Sequence, residues 1–262
     1  MQPLEFSADL ARSNSQYTRL ADRYDDLTPR LEPIRRDAHQ LLRLAVGEVV
    51  VDVGCGTGKS LAALSIAVGP FGTVFAVEPC VAMMQQAKAR ARAQRLGNVQ
   101  FIDSEVEALP QRIDAGQVNA FLLMFTHDVL QSDDALNALA VAARPGARFA
   151  LAGGKFFRGP LAILNPWVQW RQRHYCTTFA DYDAPWRKLS ALPGFRREHL
   201  AARYGGIAYL AGGVWRLFAA RSLALRRLGS GANRALARAA LLARRSRCVD
   251  RIYAARNAGV RP

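Results

Sequence analysis

Apolar residues form short unbroken runs through the middle of this 262-residue chain. EVVVDV, at residues 48–53, is such a run, and its length and β-branched content predict a strand buried on both faces. The other runs that predict strands are TVFAVE, VQFID, VNAFLLMF and ARFALAGG. The patterns between them, KSLAALSIAV, MMQQAKARARAQRL and DALNALAVAA, are helical. Strands that alternate with helices in this way predict an α/β domain built on a parallel, doubly wound sheet.

The pattern differs on either side of this region. Before residue 46 the spacing is helical, with interruptions near Pro29 and Pro33, because proline lacks the amide hydrogen that a helix interior needs. After Gly154 a stretch rich in Trp and Arg precedes two more predicted strands, near FRREHLAARYG and GIAYLAG. We therefore predict an N-terminal helical segment at 1–45, an α/β domain at 46–213 and a tail at 214–262.

Composition narrows the class of protein. Half of the residues are hydrophobic, which predicts a folded core. No run of 18 uncharged apolar residues occurs, and the first sixteen residues lack the apolar stretch of a secretion signal. The four cysteines have no CxxC spacing, so we expect reduced thiols and no zinc site. These features predict a cytoplasmic protein without a metal centre.

The net charge of +15 is concentrated in the tail. Residues 214–262 hold twelve arginines and a single acid, Asp250, which accounts for +11 of the total. Apolar residues recur at helical spacing between these arginines, and a basic amphipathic helix is typical of an element that binds an anionic membrane surface. We therefore expect peripheral association with the inner membrane surface through this tail.

Two other roles for the tail remain open. Arginine also contacts phosphates, so the tail is a candidate for nucleic-acid binding, although it offers only Trp215, Phe218 and Tyr253 to stack on bases. It is equally compatible with a solvated helical appendage that packs on the domain.

The loop after the first predicted strand is rich in glycine. The sequence VVVDVGCGTGKS spans residues 49–60 and ends like a phosphate-binding P-loop. A P-loop needs its first glycine at position 53, which is Val53 here. The dinucleotide-binding pattern G-x-G-x-x-G also fails, because the spacing is G-x-G-x-G. Glycines at this spacing still allow the backbone to come close to a ligand, where a Cβ would clash.

The glycine-rich loop resembles the first motif of the class I S-adenosylmethionine-dependent methyltransferases, Asp-x-Gly-x-Gly-x-Gly, with Asp52 as its acid. Glu78 and Asp103 then end the next two predicted strands. In open α/β sheets ligands bind outside the carboxyl ends of strands, which is where all three acids lie. A single acid of this kind is more often a helix cap or a solvated strand end, but the set of three favours a ligand site.

The resemblance implies the rest of the fold and the cofactor. It implies a Rossmann-like methyltransferase fold with a mostly parallel seven-stranded sheet, an N-terminal helical lid and a basic helical tail. In this family Asp52 would face the methionyl amino group of S-adenosylmethionine, Glu78 would accept both ribose hydroxyls in a bidentate bond, and Asp103 would accept the adenine amine. The implied cofactor-binding residues are Asp52, Gly54, Cys55, Gly56, Thr57, Gly58, Glu78, Pro79, Asp103, Ser104 and Phe125.

The sequence also suggests how an acceptor is held. RYDDLTPR resembles the lid of the ubiquinone/menaquinone and phospholipid-headgroup methyltransferase type, which implies Tyr17, Tyr24 and Arg30 as lid or substrate residues. His127 follows the fourth predicted strand and is a candidate general base for a phenol or enol, because its pKa lies near neutrality. The alternative is that His127 caps the next helix or packs on the adenine. The aromatic stretch 156–186 either covers an apolar substrate or packs on the sheet.

The leading functional hypothesis is methyl transfer to a small lipophilic acceptor, such as a quinone precursor, a lipid headgroup or an aromatic natural product. Methylation of RNA or another nucleic acid, with the tail as binding element, is the second hypothesis. It is weakened because no Asn-Pro-Pro-Tyr-type sequence follows the fourth predicted strand. A fold relative without catalytic activity is the third hypothesis.

Overall fold

The computed structural model describes residues 9–216, and a single seven-stranded sheet organises them. The strands are β1 (Val49–Val53), β2 (Thr73–Val77), β3 (Val99–Ile102), β4 (Val118–Met124), β5 (Ala143–Gly154), β6 (Phe195–Arg203) and β7 (Ala208–Trp215). Their order in the sheet is β3-β2-β1-β4-β5-β7-β6. Strands β1 to β5 pair in parallel, whereas β7 is antiparallel to both β5 and β6. The predicted mostly parallel, doubly wound sheet is confirmed.

Nine α-helices surround the sheet in the part of the chain that the structure describes. They are α1 (Leu10–Leu20), α2 (Tyr24–Leu27), α3 (Glu32–Leu42), α4 (Leu61–Val68), α5 (Val81–Ala93), α6 (His127–Gln131), α7 (Asp133–Ala142), α8 (Asn165–Gln172) and α9 (Arg187–Ala191). On one face, α3, α4 and α5 bury alternate residues of the strands in a common core. This alternation follows from the two-residue period of a strand, and it confirms that the apolar run of β1 is buried on both faces.

Three boundaries differ from the predictions. The helical segment breaks near Pro29, as expected, but Pro33 lies in the first turn of α3, where its missing amide hydrogen leaves no bond unmade. Strand β5 begins at Ala143, before the turn at which it was predicted to start. Strand β7 continues to Trp215, which is buried near Phe149, so Val214 and Trp215 belong to the sheet and not to the tail.

Residues 1–8 and 217–262 lie outside the described part of the chain, and the predicted basic tail falls almost entirely within the second range. Among residues 9–216 no helix has the length and apolarity required to cross a membrane.

Candidate active site

Two loops meet where the sheet reverses direction. From β1 the chain proceeds outward to β2 and β3, then returns to the other side of β1 as β4, so the carboxyl ends of β1 and β4 form a switch point. Gly54 follows β1 with a φ of +65°, and a Cβ there would lie 2.7 Å from Cγ2 of Thr126, just after β4. Phe125 has a φ of +60°, which is strained for a residue with a side chain. Only glycine fits at position 54.

Glu78 fixes the glycine loop from the end of β2. Its Oε2 accepts the Gly56 amide hydrogen at 3.0 Å, and its Oε1 accepts that of Cys80 at 2.9 Å. Burial raises the pKa of Glu78, while these two hydrogen bonds act in the opposite direction. Each oxygen keeps one further lone pair, so the carboxylate is able to accept ligand hydroxyls while it holds the loop.

Asp52 is a buried acid without a partner. One of its oxygens, Oδ2, has no hydrogen bond among the described residues. Burial raises the pKa of Asp52 to about 7; the charge of Glu78 adds to this, and Arg35 opposes it. An unpaired buried carboxylate is costly, and a ligand ammonium group would remove that cost. The methionyl end of the implied cofactor carries such a group, so Asp52 fits it.

A cavity of about 1300 Å³ opens beside these residues. Pockets for a single small molecule usually measure roughly 300–1,000 Å³, so this cavity has room for two ligands. Its first wall, the strand-end wall, consists of backbone and side chains that follow β1 and β2: Val53, Gly54, Gly56, Glu78 and Pro79. Asp52 is buried behind this wall.

The second wall, the aromatic wall, comes from three separate parts of the chain. Its main side chains are Tyr17, Tyr24, His127, Trp170, Tyr175 and Phe179. The Tyr17 hydroxyl donates to the Tyr175 carbonyl at 3.0 Å, which joins α1 to the segment after α8. Burial raises the pKa of Tyr17, and it raises that of Tyr24 to about 12, so both remain neutral phenols near pH 7.

His127 is the first residue of α6 and faces the cavity. Its ring lies edge-on to Tyr182, with 4.8 Å between ring centroids, and no hydrogen bond of normal geometry satisfies either ring nitrogen within the described chain. Burial lowers the pKa of His127, although Asp128 and the nearby Ala180 backbone act in the opposite direction. The imidazole is therefore neutral near pH 7.

Asp128 lies in the predicted region after β4, but its contact with Thr177 was not predicted. Its carboxylate accepts the Thr177 amide hydrogen at 3.1 Å and the Thr177 hydroxyl at 2.7 Å. This contact ties α6, which carries His127, to the segment that supplies the aromatic wall. The sequence contains no signal for it, because the two residues lie 49 positions apart.

The predicted site residues divide into three groups. Those that line the large cavity are Gly54, Gly56, Glu78, Pro79, Phe125, His127, Tyr17 and Tyr24. Asp103 and Ser104 line a smaller neighbouring cavity of about 490 Å³ that shares Pro79 with the first. Asp103 is half exposed and pairs with Lys88 at 2.6 Å, so a ligand amine would compete with that lysine.

Five other predicted residues do not line either cavity: Asp52, which is buried behind the strand-end wall, and the four described next. Cys55 belongs to the core beneath the sheet, and Gly58 packs against Ala87 of α5. Arg30 offers only its backbone oxygen, which accepts the Tyr204 hydroxyl. Thr57 donates its hydroxyl to Asp25 at 2.6 Å. These four positions shape or anchor the loop and lid instead of facing a ligand.

Asp25 connects the helical lid to the glycine loop. Besides Thr57, its carboxylate pairs with Arg90 of α5, and its backbone oxygen accepts from Lys59 at 3.3 Å. Arg35 of α3 donates to the Ser60 hydroxyl at 3.0 Å. The Thr-Gly-Lys-Ser stretch that resembles a P-loop thus anchors the N-terminal helices.

Comparison with a family of known proteins adds an independent finding. Residues 50–146 match the model of a family described as a methyltransferase domain. This range runs from β1 into β5 and includes the glycine loop, Glu78, Asp103 and His127.

Two curated relatives are also methyltransferases by name. The aklanonic acid methyltransferase of Streptomyces sp. (strain C5) is 28% identical over 160 residues, which cover 59% of this chain and 67% of that protein. The demethylmenaquinone methyltransferase of Geobacillus kaustophilus (strain HTA426) is 33% identical over 76 residues, or 29% of this chain and 32% of that protein.

A solved structure agrees on the fold. The geranyl diphosphate C-methyltransferase of Streptomyces coelicolor A3(2), in complex with Mg²⁺, geranyl diphosphate and S-adenosyl-L-homocysteine, aligns with a TM-score of 0.55. The alignment covers 72% of this chain and 80% of that one, with 18% sequence identity. At this identity the likeness establishes the fold alone.

Proposed function

Because this chain is a class I S-adenosylmethionine-dependent methyltransferase, we propose that it methylates a small lipophilic acceptor that contains an aromatic or quinone-like ring. The observation that carries this proposal is the two-walled cavity, in which an aromatic wall faces the strand-end wall. Aromatic side chains favour a flat apolar ligand, because ring–ring contacts add to the burial of apolar surface. Two relatives whose names refer to aklanonic acid and demethylmenaquinone support an acceptor of this kind.

The strand-end wall would hold the cofactor. S-adenosylmethionine supplies an electrophilic methyl group on a sulfonium sulfur, so the protein mainly has to align the acceptor and exclude water. We assign Asp52 to the cofactor's ammonium group and Glu78 to its ribose hydroxyls, with Gly54 and Gly56 giving close backbone approach. Asp103 and Ser104, in the smaller cavity, would take the adenine.

The aromatic wall would hold the acceptor. Trp170, Tyr175 and Phe179 supply flat apolar surface, and His127 is the neutral base beside them. We propose that one His127 ring nitrogen would accept the proton of an acceptor hydroxyl or enol while the acceptor bonds to the methyl carbon, whose bond to sulfur would break and release S-adenosylhomocysteine. A general base of this kind contributes about 10²–10⁴-fold to a rate.

Two alternatives are less well supported. A nucleic-acid acceptor would rely on the basic tail, which lies outside the described residues. A fold relative without activity would not need a neutral imidazole beside a cavity large enough for two ligands. The tail's association with an anionic membrane surface stays a prediction from its sequence.

Activity should be measured with a panel of hydroxylated aromatic compounds and hydroquinones, by the gain of one CH₂ in product mass. We expect at least one panel member to be methylated, and His127→Gln to lower kcat by about 10²-fold or more. His174→Gln is the matched control, because that histidine is exposed and lies outside the cavity.

Binding of S-adenosylhomocysteine to His127→Gln should equal that of the unaltered protein, which separates loss of chemistry from loss of fold. Methylation of generic RNA but of no panel compound would contradict the proposal. Unchanged kcat in His127→Gln would remove the general-base role while leaving the acceptor class intact.

A further inference from the structure

Five large apolar side chains lie exposed along one short stretch of the chain. Leu161, Ile163 and Leu164 are 50%, 82% and 45% exposed, and Trp167 and Trp170 are 51% and 57% exposed. They occupy a 3₁₀ turn at Gly159–Leu164 and helix α8, and we call these five residues the indole surface. Val168, on the inner face of α8, is buried with Cys176 and Tyr182. The helix thus has its inner face packed and an outer face that is still apolar.

Apolar exposure of this kind indicates an interaction site. Soluble proteins rarely expose contiguous apolar patches beyond a few hundred Å², and larger ones mark interaction sites. Trp167 and Trp170 are three residues apart on α8, which places them on one side of that helix, and Ile163 lies in the 3₁₀ turn before it.

Two arginines lie against the rings of the indole surface. Arg171 lies over the ring of Trp167 at 5.4 Å, and Arg173 lies over that of Trp170 at 5.1 Å. No ion pair within residues 9–216 involves either arginine. The sequence contains no acid between Asp134 and Asp181. A fitting partner is therefore both apolar and anionic.

We propose that the indole surface docks the protein on an anionic lipid bilayer. Indole rings favour the boundary between headgroups and acyl chains, because they combine a large apolar ring with one polar N–H. Arginine stems lie along apolar surface while their charged ends reach lipid phosphates. The leucine and isoleucine side chains of the surface would then enter the acyl region.

Charge argues against two other occupants. A second copy bound through the same surface about a two-fold axis would bring the positive charges of Arg171 and Arg173 towards those of its partner. The segment at 214–262 carries +11, so its charge has the same sign as the rim of the indole surface. An anionic bilayer offers negative charge to the two arginines and an apolar phase to the exposed side chains.

The indole surface adjoins the large cavity. Trp170 belongs to both, and Pro166, Gln169 and Arg173 also line the cavity. If the acceptor is lipophilic, as proposed above, docking here would bring the cavity beside the phase in which the acceptor dissolves. The docking itself depends only on the indole surface, so it stands or fails independently of the acceptor's identity.

Tryptophan fluorescence tests the docking directly. All four tryptophans of the chain are described, and Trp186 and Trp215 are buried, so a response to lipid reports Trp167 and Trp170. The full-length protein should be titrated with vesicles of brominated phosphatidylcholine alone and with vesicles that contain the same brominated lipid together with phosphatidylglycerol. We expect a blue shift and quenching only with the anionic vesicles.

The variant that removes the surface is Leu161→Ser, Ile163→Ser and Trp167→Ser, none of which lines the cavity. It should lower vesicle partitioning on the order of tenfold or more, because three apolar side chains are lost from the bound surface. The matched control is Ile66→Ser and Phe71→Ser, which changes two exposed apolar residues of α4 and the turn after it. Arg171→Glu should weaken binding to anionic vesicles and leave binding to phosphatidylcholine vesicles unchanged.

Three results would overturn the proposal. The first is absence of quenching with anionic vesicles. The second is equal partitioning of the triple variant and the unaltered protein, because binding would then belong to another part of the chain. A concentration-dependent dimer that buries the tryptophans and is abolished by the triple variant would instead assign the surface to a second copy.

Discussion

The two walls of the large cavity are built by different means. The strand-end wall is fixed by backbone: Glu78 accepts two amide hydrogens, and Gly54 lies so close to Thr126 that no side chain fits. The aromatic wall is assembled from side chains of α1, α2, α6, α8 and the segment after α8. It is joined by side-chain hydrogen bonds such as those between Asp128 and Thr177.

This difference determines how each wall responds to change. A wall made by backbone geometry permits few substitutions, because altering one residue moves the loop itself. A wall made by side chains permits exchange of one ring for another without disturbing the strands beneath it. We therefore expect cofactor binding to be sensitive to small changes and acceptor preference to be adjustable.

The largest effect is expected at Gly54. Gly54→Ala places a Cβ 2.7 Å from Thr126 Cγ2 and forces alanine into a φ of +65°. Overpacking costs about 1–3 kcal/mol and left-handed backbone roughly 1–2 kcal/mol, so we expect destabilisation of about 2–5 kcal/mol. S-adenosylhomocysteine binding should fall below detection, as measured by calorimetry alongside thermal unfolding.

Two other glycines separate the causes. Gly116 has a φ of +73°, and a Cβ there would meet no atom within 4 Å, so Gly116→Ala should cost only the backbone strain, about 1 kcal/mol. Gly97 has no positive φ and no atom within 4 Å of its added Cβ, so Gly97→Ala should leave the free energy of unfolding nearly unchanged. Equal unfolding midpoints for Gly54→Ala and Gly116→Ala would show that Thr126 does not constrain the loop.

The second prediction concerns pH and Asp52. Its pKa of about 7 lies above the ordinary value of 3.8, so its contribution to stability is present below pH 4 and is lost as pH rises through 7. A bound ammonium group favours the ionised form and lowers that pKa. Binding then releases a proton when the pH is below 7, and the affinity for S-adenosylhomocysteine should rise up to about tenfold per pH unit towards pH 7.

Above pH 7 the affinity should level off, because Asp52 is already ionised in the free protein. Asp52→Asn should bind more weakly at pH 8 and lose most of this pH dependence, while its unfolding midpoint should fall less between pH 5 and 8. A pH profile of binding that is the same in both proteins would remove Asp52 from the cofactor site.

The sequence predicted the strand-end wall residue by residue except for Val53, and it predicted the aromatic wall as Tyr17, Tyr24, His127 and the stretch 156–186, without the contacts that join them. Gly54, Gly56 and Glu78 follow apolar runs whose position in a parallel sheet places their ends together. His127 was found for the same reason, since it follows β4. Tyr175 and Phe179 lie in a stretch without a clear period, so only the folded chain brings them to the cavity.

Some residues within the predicted loop were assigned to the ligand because the sequence does not show where side chains point. Thr57 lies in the glycine loop, yet it turns to Asp25 of the lid. Asp25 itself carries no sequence signal, because it lies among other charged residues before a proline. The mostly parallel, doubly wound sheet could be foreseen from the hydrophobic period and the resemblance, whereas these side-chain contacts depend on how α2 packs over the loop.

The smallest effect is expected from this lid contact. Asp25→Asn weakens the bonds to Thr57 and Arg90, and partly exposed ion pairs contribute about 0.2–1 kcal/mol. We expect S-adenosylhomocysteine to dissociate about threefold faster in stopped-flow measurements, with little change in overall stability. Asp26→Asn is the matched control, since this neighbour is exposed. Equal rates in the two variants would show that the lid does not retain the ligand.

The most direct test of the division between the walls is calorimetric titration of Glu78→Gln and Phe179→Ala with S-adenosylhomocysteine. Glutamine has one acceptor oxygen where glutamate has two, so Glu78→Gln would leave an amide NH₂ group facing a backbone N–H. Binding of S-adenosylhomocysteine should therefore weaken about thirtyfold, equivalent to about 2 kcal/mol. Phe179→Ala, which changes only the aromatic wall, should bind with unaltered affinity. Unaltered binding in Glu78→Gln, or an equal loss in both variants, would contradict the account.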